Sequence, residues 1–365
     1  SPILLARNKV IEFNYSTIGD CSLDSLEYSK NEGKKYDFVK NQNIKESLMK
    51  SKVDGEPIKI IPHKIPIRSK LNRNNLVYKN KQVRPLIVFN NGTTRCIGKD
   101  SPLHIKDSEV IIKGTPDMPV KFTACPGTES KGGGLIFENS KVSISNLKVE
   151  NQQTPQLELR ILYGGINFIN SLVNIDRLEV INSKSEDAIN FISSKINAKH
   201  ITIESAVSDA IDLDDSKLSI SKLNCLNIGN DCLDMSFSKG IAQSISANNI
   251  GDKGISLGER SILDLKVFNI MNAEIGAVSK DSSILNINTM NHEKTKLLIS
   301  AFIKKPEFGS PQINIVNSVP RVKSNYLIGK DVSAVVSGKV LKSDLTSSEV
   351  EDMLYGNIYG KKTKR

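Results

Sequence analysis

Tryptophan is absent from the sequence, and aromatic residues make up only 5% of the 365 residues. Ile, Leu, Val, Asn and Ser are abundant instead, which suits short strands whose small β-branched side chains fill a narrow interior. No run of 18 or more apolar residues occurs, so the sequence predicts no membrane-spanning helix. A chain of this length without one large aromatic core is typical of an elongated repeat, in which each unit contacts only its neighbours.

Cysteine is also scarce, and its spacing indicates no metal site. The five cysteines include no CxxC pair, and an odd number fits neither a dense disulfide framework nor a zinc site. We therefore expect Cys225 and Cys232 to be small buried residues. The sequence also lacks the P-loop, HExxH and dinucleotide-binding motifs, so it indicates none of the corresponding chemistries.

The net charge is +10 at pH 7, which either maintains solubility or attracts a polyanion such as an acidic polysaccharide. No basic helix carries interleaved aromatic residues, so no nucleic-acid partner is predicted. The chain starts at Ser1 without an initiator Met, and a trimmed start would hide any signal peptide. We expect the protein to be secreted, periplasmic or attached to the cell surface.

A four-residue pattern repeats along the middle of the chain. Its second and fourth residues are mostly apolar and its third is often polar, which indicates a short strand with one buried face. The pattern recurs every 22 residues, apart from one step of 31 and one of 23. It begins at Gly134, Gly165, Ala188, Ala210, Cys232, Gly254, Gly276 and Leu298. A second alternating run, such as Lys217 to Ser221, follows in each unit.

Several strands per unit, repeated without helical stretches, predict an all-β fold: a single-stranded parallel β-helix with about 22 residues per coil. The crossover rule makes it right-handed. A left-handed hexapeptide solenoid and a leucine-rich solenoid fit less well, because the period is too long for one hexapeptide turn and the leucine-rich consensus is absent. A recurring serine predicts a hydroxyl ladder at one turn; its members are Ser140, Ser171, Ser194, Ser216 and Ser238.

The predicted β-helix spans residues 85–318. Residues 1–84 show no clear period and are expected to be an irregular region that caps the open end of the solenoid. Residues 319–365 are expected to form a C-terminal extension with a short helix within 343–356, ending at a glycine, and a basic tail.

Acidic residues recur at equivalent positions of successive coils. Asp187, Asp209 and Asp231 each precede the repeated pattern, and Asp212 and Asp234 are its third residues. In a solenoid, Asp209 should lie about 5 Å from Asp231, and Asp212 about 5 Å from Asp234. Like charges at that distance repel, so one pKa of each pair is expected to rise.

Three explanations of this acidic column remain open. It is a solvated ladder neutralised by lysines and turn amides, or it provides acid and base groups for chemistry on a glycosidic bond. The third is a cation site, most naturally for Ca²⁺. The predicted catalytic residues are Asp209, Asp212, Asp231 and Asp234. No cofactor is predicted to be required, and Ca²⁺ is left open.

Lysines follow the acidic residues on the next coils. Lys253, Lys280 and Lys304 are predicted to hold the anionic groups of a sugar chain, and we expect Asp187, Asn190 and Glu259 to contact substrate as well. Lys280 is also a candidate base for β-elimination if desolvation lowers its pKa. The alternative is that these lysines, together with Lys305, form salt bridges with Glu259 and Asp281.

Read in order, these segments show a family resemblance. They are Ser185 to Asn190, Ser208 to Asp212, Asn230 to Asp234, Asp252 to Glu259, Ile275 to Asp281 and Lys304 to Gly309. They resemble bacterial right-handed β-helix proteins of the pectin-lyase-like superfamily, in particular the β-helix regions found with spore-coat-protein-H-like kinases. The resemblance covers about residues 85 to 316 and implies the fold.

A looser similarity is to polygalacturonase-type glycoside hydrolases. Those enzymes carry Asn-Thr-Asp, Asp-Asp, Gly-His-Gly and Arg-x-Lys motifs on successive coils. Here Asp209, Asp231 and Lys253 occupy comparable places, with Lys253 where the hydrolases have His, and Lys280 falls near the last motif without its Arg. The resemblance implies polysaccharide chemistry, and the departures weigh against an identical mechanism.

These observations together predict a carbohydrate-active protein that binds a polysaccharide, acidic in character, on the outer face of a β-helix and cleaves or modifies it. Hydrolase, lyase and epimerase activities all remain open. The alternative is a non-catalytic β-helix for surface attachment or assembly, stabilised by calcium or without it.

Overall fold

The structure is a computed structural model that describes residues 84–127, 131–319, 325–356 and 358–359, together with two backbone strands near the start of the chain. These residues form an all-β parallel solenoid of about 11 turns, with roughly 23 residues per turn. The predicted fold class is therefore confirmed. The predicted cap within residues 14–83 and the basic tail lie outside the described residues.

The strands of the first coils are short. They are β1 (Ile3–Leu4), β2 (Val10–Phe13), β3 (Leu86–Asn90), β4 (Thr94–Ile97), β5 (Leu103–Lys106), β6 (Glu109–Lys113), β7 (Val120–Ala124) and β8 (Leu135–Glu138). The central strands are β9 (Lys141–Glu150), β10 (Gly164–Ile169), β11 (Leu172–Ser183), β12 (Asp187–Ile192), β13 (Lys195–Ala206), β14 (Asp209–Asp214), β15 (Lys217–Ile228) and β16 (Leu233–Ser236).

In the later coils the strands merge around the corners. They are β17 (Lys239–Leu257), β18 (Ile262–Lys280), β19 (Ile284–Phe302), β20 (Gln312–Val319), β21 (Tyr326–Ile328), β22 (Ser333–Val336) and β23 (Lys339–Leu341). Among the described strands, only the β22–β23 pair is antiparallel. The one described helix is α1 (Ser347–Tyr355). None of the described helical residues form a stretch long and apolar enough to span a membrane.

The repeated sequence pattern lies in one stack of parallel strands, as predicted. Its second residues pair directly from coil to coil, in the order Leu135, Ile166, Ile189, Ile211, Leu233, Ile255, Ala277 and Ile299. The long step between the first two coils is taken up by a polar insert that leaves the stack and returns in register. Residues at equal positions of the pattern therefore become spatial neighbours.

The interior is a narrow column of apolar side chains. Phe137, Phe168 and Phe191 stack on one another with ring centroids 5.1 Å apart, one ring from each coil. Leu213 and Met235 continue the same column on the next two coils. Because each coil contributes one side chain per column, a few aromatic rings suffice and Ile, Leu and Val fill the remaining positions.

Cys225 and Cys232 are buried, as expected, but they form a disulfide that the sequence reasoning did not predict. Cys225 lies on β15 and Cys232 just before β16, so the bond joins two sides of one coil across the interior. The neighbouring coils have Ala210 and Gly254 at the position of Cys232, where apolar contacts replace the bond. A second disulfide joins Cys96 and Cys125.

Both ends of the described solenoid extend beyond the predicted repeat. At the start, β1 pairs with β5 and β2 with β3, although residues 1–84 were expected to be irregular. At the other end, β21 and β22 add parallel strands after residue 318. These strands have only two to four residues, so their alternation is too short to detect in the sequence.

The predicted C-terminal helix is confirmed, although it starts at Ser347 and not at residue 343. Thr346 is its N-cap and forms a capping box with Glu349, and Gly356 is the C-cap. The helix lies on the outside of the solenoid, where its buried residues pack against strands of the late coils. This contact involves Val350 and Leu354 from the helix and Ile275, Val278, Leu297, Phe302 and Leu327 from the coils.

The predicted serine ladder is present at one corner of the coils. The Ser194 N–H donates to Ser216 Oγ at 2.9 Å, and the Ser216 N–H donates to Ser238 Oγ at 2.9 Å. Each hydroxyl also donates to a carbonyl two residues earlier in its own coil, as Ser216 does to Asp214. The ladder therefore satisfies buried backbone groups at a turn that the strand pairing leaves unpaired.

Replacing Ser216 with Ala is expected to lower the free energy of unfolding by about 1–3 kcal/mol, because the buried Ser194 N–H loses its acceptor. Urea unfolding followed by circular dichroism measures the change. Ser219→Ala is the matched control, because Ser219 is exposed on the same coil and its loss should cost less than about 0.5 kcal/mol. Equal stability of the two variants would contradict the hydroxyl ladder.

Candidate functional site

The acidic residues lie on the outward side of the strands that carry the repeated pattern. This surface, called the carboxylate face below, is formed by the outward residues of β12, β14 and β16 and of the last parts of β17 and β18. The insert between β9 and β10 covers one end of it, where Leu162 packs against Ile136. The helix α1 covers the other end, where Val350 packs near Val278. The carboxylate face is therefore a polar surface formed by successive coils, and an apolar contact with another segment of the chain lies at each of its ends. Equivalent positions on successive coils are called rungs below.

The central column of the carboxylate face runs through Asn190, Asp212, Asp234 and Ser256, which are paired directly in register. Asp212 thus lies beside Asp234, as predicted from the period. The Asn190 Nδ2 donates to Asp187 Oδ2 at 2.9 Å and to Asp212 Oδ2 at 3.1 Å. The Asn190 Oδ1 is buried and has no hydrogen-bond partner, which leaves one acceptor available beside the two carboxyl groups.

Two carboxyl groups in contact with Asn190 have raised pKa values. Burial raises the pKa of Asp212 to about 9, and the nearby Asp214 and Asp187 carboxylates add to the shift. Burial likewise raises the pKa of Asp187 to about 7, while the hydrogen bond from Asn190 opposes the rise. Asp212 is therefore neutral at pH 7 and has a proton to donate.

Asp209 and Asp231 lie at the turn before the strands, and both accept backbone hydrogen bonds from the next coil. Asp209 Oδ1 accepts from the Asp231 N–H at 2.7 Å and from Asn230 Nδ2 at 2.7 Å. Asp231 Oδ1 accepts from the Lys253 N–H at 2.9 Å. Burial raises the pKa of both groups above the ordinary range. Their contacts tie successive turns together.

Lys253 is buried, with a relative exposure of only 5%, and forms an internal charge cluster. Its Nζ is 2.5 Å from Asp252 Oδ2 and 3.4 Å from Asp231 Oδ2. Burial lowers the pKa of Lys253, but Asp231 and Asp252 outweigh it, so the pKa is raised. The ammonium group is thus charged and held by two aspartates of the protein itself.

Lys280 lies at the end of the central column, and its Nζ donates to Ser256 Oγ at 3.1 Å. Burial lowers its pKa, but the Asp234 carboxylate and further neighbours more than offset this, so the pKa is raised. Lys280 was a candidate base only if its pKa were lowered, and this condition is not met. A charged Lys280 instead suits the binding of an anion.

The segment after β19 brings two more lysines to the face. Asp281 Oδ1 accepts the backbone N–H groups of Lys304 and Lys305 at 2.7 and 2.8 Å. The Lys305 ammonium pairs with Glu259, and this pairing lowers the pKa of Glu259 although burial alone would raise it. Of the predicted salt bridges from these lysines to Glu259 and Asp281, the pair between Lys305 and Glu259 is therefore confirmed, and none from Lys253 or Lys280 is present among the described ion pairs.

Tyr355, the last residue of α1, belongs to the site and was missed by sequence reasoning. Its ring lies 4.7 Å from Lys304 Nζ and 5.6 Å from Lys253 Nζ, within range of cation–π attraction. The sequence predicted the helix and its ends, but no sequence signal shows against which coil the helix packs. The position of Tyr355 follows from the tertiary contact alone.

Within the described part of the chain, no group of three or more His, Cys, Asp or Glu side chains is placed to hold a metal ion. The Asn190 Oδ1 is an unused oxygen of the kind that Ca²⁺ accepts, and the calcium hypothesis stays a prediction on that ground.

A cavity of about 570 Å³ lies on another side of the solenoid, next to β15, β17, β18 and β19. Its polar lining consists largely of stacked amides and hydroxyls, including Asn224, Ser246, Asn269 and Asn291, which bond mainly to one another. The lining contains no carboxyl pair. The carboxylate face, which has such a pair, is therefore the candidate functional site.

Comparison with known proteins identifies no family for the chain. No family model and no curated protein matches it. The crystal structure of alginate lyase from Paenibacillus sp. str. FPU-7 matches with a TM-score of 0.35 and 11% sequence identity, over 70% of this chain and 94% of that chain. Similarity this remote identifies no function, and the likeness to spore-coat-associated β-helices stays a prediction.

The raised pKa of Asp212 predicts how stability depends on pH. The unfolded chain releases this proton near the ordinary value of 3.8, whereas the folded chain retains it up to about 9. The free energy of unfolding should therefore fall as pH rises from about 4 to about 9. In Asp212→Asn the fall should be shallower, most clearly between about pH 8 and 9, because the raised pKa values of Asp187 and Asp231 are only about 7 and about 8.

Urea unfolding at a series of pH values measures this difference. Asp264→Asn is the control, because Asp264 also accepts an amide hydrogen bond from the next coil, from Asn286 at 2.8 Å, but is exposed on another face. An identical pH dependence for the wild type and Asp212→Asn would show that Asp212 is ionised at neutral pH.

Replacing Lys253 with Met should destabilise the protein by about 3–5 kcal/mol, because Asp231 is left buried without its cationic partner. Lys305→Met removes the exposed partner of Glu259 and should cost about 1 kcal/mol or less. Urea midpoints of the two variants measure the contrast. If Lys253→Met were as stable as Lys305→Met, Lys253 would not be part of a buried charge cluster.

Proposed function

We propose that this protein is an enzyme that hydrolyses an acidic polysaccharide on the carboxylate face, with Asp212 as the proton donor and Asp234 as its partner. The observation that carries the proposal is the direct pairing of the two residues on adjacent rungs, with the pKa of Asp212 raised to about 9 mainly by burial. Glycoside hydrolysis uses such a pair, one carboxylic acid and one carboxylate.

The proposed chemistry divides the work between the two groups. Asp212 protonates the glycosidic oxygen as the bond breaks, and Asp234 either attacks the anomeric carbon or activates the water that does so. Asp234 Oδ1 accepts the N–H of Met235 at 2.9 Å, which orients its carboxyl group. The second oxygen of Asp234 is left for the reacting centre or its water.

The cations at one end of the face favour an anionic substrate. Lys280 and Lys304 would contact the carboxylates of uronic acid residues, and Glu259 with Lys305 forms the adjoining rim. Asp187 and Asn190 would contact the sugar on the other side of the acid pair. We assign Asp209, Asp231 and Lys253 a supporting role, since their charged groups are engaged with backbone groups and with one another.

Hydrolysis is favoured over β-elimination because elimination needs a base at the sugar carbon next to the carboxylate. Lys280 has a raised pKa and so carries its proton at neutral pH. We also propose that the protein acts in an oxidising compartment, secreted or at the cell surface, because two disulfides lie within the described solenoid.

The test is a panel of polygalacturonate, alginate and hyaluronan, with dextran as a neutral polysaccharide. Wild-type protein should release reducing ends without ultraviolet-absorbing unsaturated ends from at least one acidic member. Asp212→Asn and Asp234→Asn should each lower kcat by about 10²- to 10⁴-fold. Asp264→Asn, on another face, should retain activity.

Each other result supports a different conclusion. Activity retained by both Asp212→Asn and Asp234→Asn would refute the acid pair, and unsaturated products would indicate a lyase. Binding without turnover on every polysaccharide would favour the non-catalytic attachment role. Lower activity or a lower melting temperature after chelator treatment would support the calcium-stabilised scaffold.

A further inference from the structure

A pair of aromatic rings lies at the corner of the solenoid beside the carboxylate face. Phe237 follows β16 directly, is 54% exposed, and has its ring centroid 6.0 Å from that of Phe308. The Arg260 guanidinium lies 5.5 Å from the Phe308 ring centroid. In a chain with only 5% aromatic residues, two neighbouring rings with a cation form an unusual surface.

The backbone at Phe237 is unfavourable for its side chain. Phe237 has a φ of 51°, in the left-handed region that bulky residues rarely adopt. The same corner of the preceding coils has small polar residues, which tolerate this conformation better; they are Asp107, Asn139, Asn170, Ser193 and Asp215. An exposed ring at this corner satisfies neither the backbone preference nor burial, so fold stability does not explain it.

The rings are connected to the carboxylate face by both chain segments that carry them. Phe237 lies three residues after Asp234, about 10 Å along an extended strand, and its N–H donates to the Glu259 carbonyl at 3.0 Å. The Phe308 N–H donates to the carbonyl of Lys305 at 3.0 Å, and Lys305 pairs with Glu259. The loop that supplies the lysines of the face therefore also places the second ring.

We infer that Phe237, Phe308 and Arg260 form an outer subsite that binds one uronic acid residue of the polysaccharide. This inference rests on the proposed function and adds a residue set to it. The rings offer an apolar surface to the C–H face of the sugar, and the guanidinium of Arg260 pairs with its carboxylate. The subsite lies to the side of the Asp212–Asp234 pair, so it holds a sugar next to the one that reacts.

The test variant is Phe237→Asn, which removes the ring and installs the residue type found at this corner of other coils. Its dissociation constant for polygalacturonate or alginate, whichever the wild type binds, should rise by about three- to tenfold. The melting temperature should stay equal or rise, because Asn tolerates the left-handed backbone. Ile241→Ser is the control, since Ile241 is 58% exposed on the adjacent face and Ser219 occupies its position on the previous coil; its affinity should match the wild type.

The outcomes separate this inference from the proposed function. Wild-type activity with unchanged affinity in Phe237→Asn overturns the subsite and leaves the acid pair intact. A fall of several degrees in melting temperature shows that the rings hold the loop in place, which also overturns the subsite. If the wild type neither binds nor cleaves any polysaccharide in the panel, the proposed function fails and the subsite fails with it.

Discussion

Hydrogen bonding between the main chains of successive coils fixes the position of every side chain in the described solenoid. Each strand pairs in parallel and in register with the one a coil earlier, so a residue and its counterpart about 22 positions later become neighbours. The interior columns must then be apolar, and the corners must satisfy their own backbone groups, as the serine ladder does. The same constraint acts outside, where it places Asp212 beside Asp234.

Two further segments of the chain flank the carboxylate face. The insert near Leu162 packs on the apolar residues at one end, and the helix α1 packs on those at the other end. Burial is the largest cause of the raised pKa of Asp212, and the neighbouring carboxylates add to it. The helix α1 also supplies Tyr355 beside the lysines.

The repeat period and the residues that pair between adjacent coils could be predicted from the sequence, because each inward column needs an apolar residue at a fixed interval. That interval predicted the coil length, the adjacency of Asp212 and Asp234, and the serine ladder. It could not predict the bond between Cys225 and Cys232, since their contact crosses the coil interior and repeats in no neighbouring coil. The position of Tyr355 could not be predicted from the sequence either, because it depends on where the C-terminal helix packs. The sign of the Lys280 pKa shift depends on the balance of burial and nearby charges, which only coordinates give.

A carboxyl carbon-13 NMR titration of Asp212, in the wild type and in Asp234→Asn, is the most direct measurement of this arrangement. The structure predicts that Asp212 titrates near pH 9 in the wild type and at a lower pH once the Asp234 charge is removed. Titration of Asp212 near its ordinary value, unaffected by Asp234→Asn, would mean that the two residues are not buried neighbours and that the site does not exist.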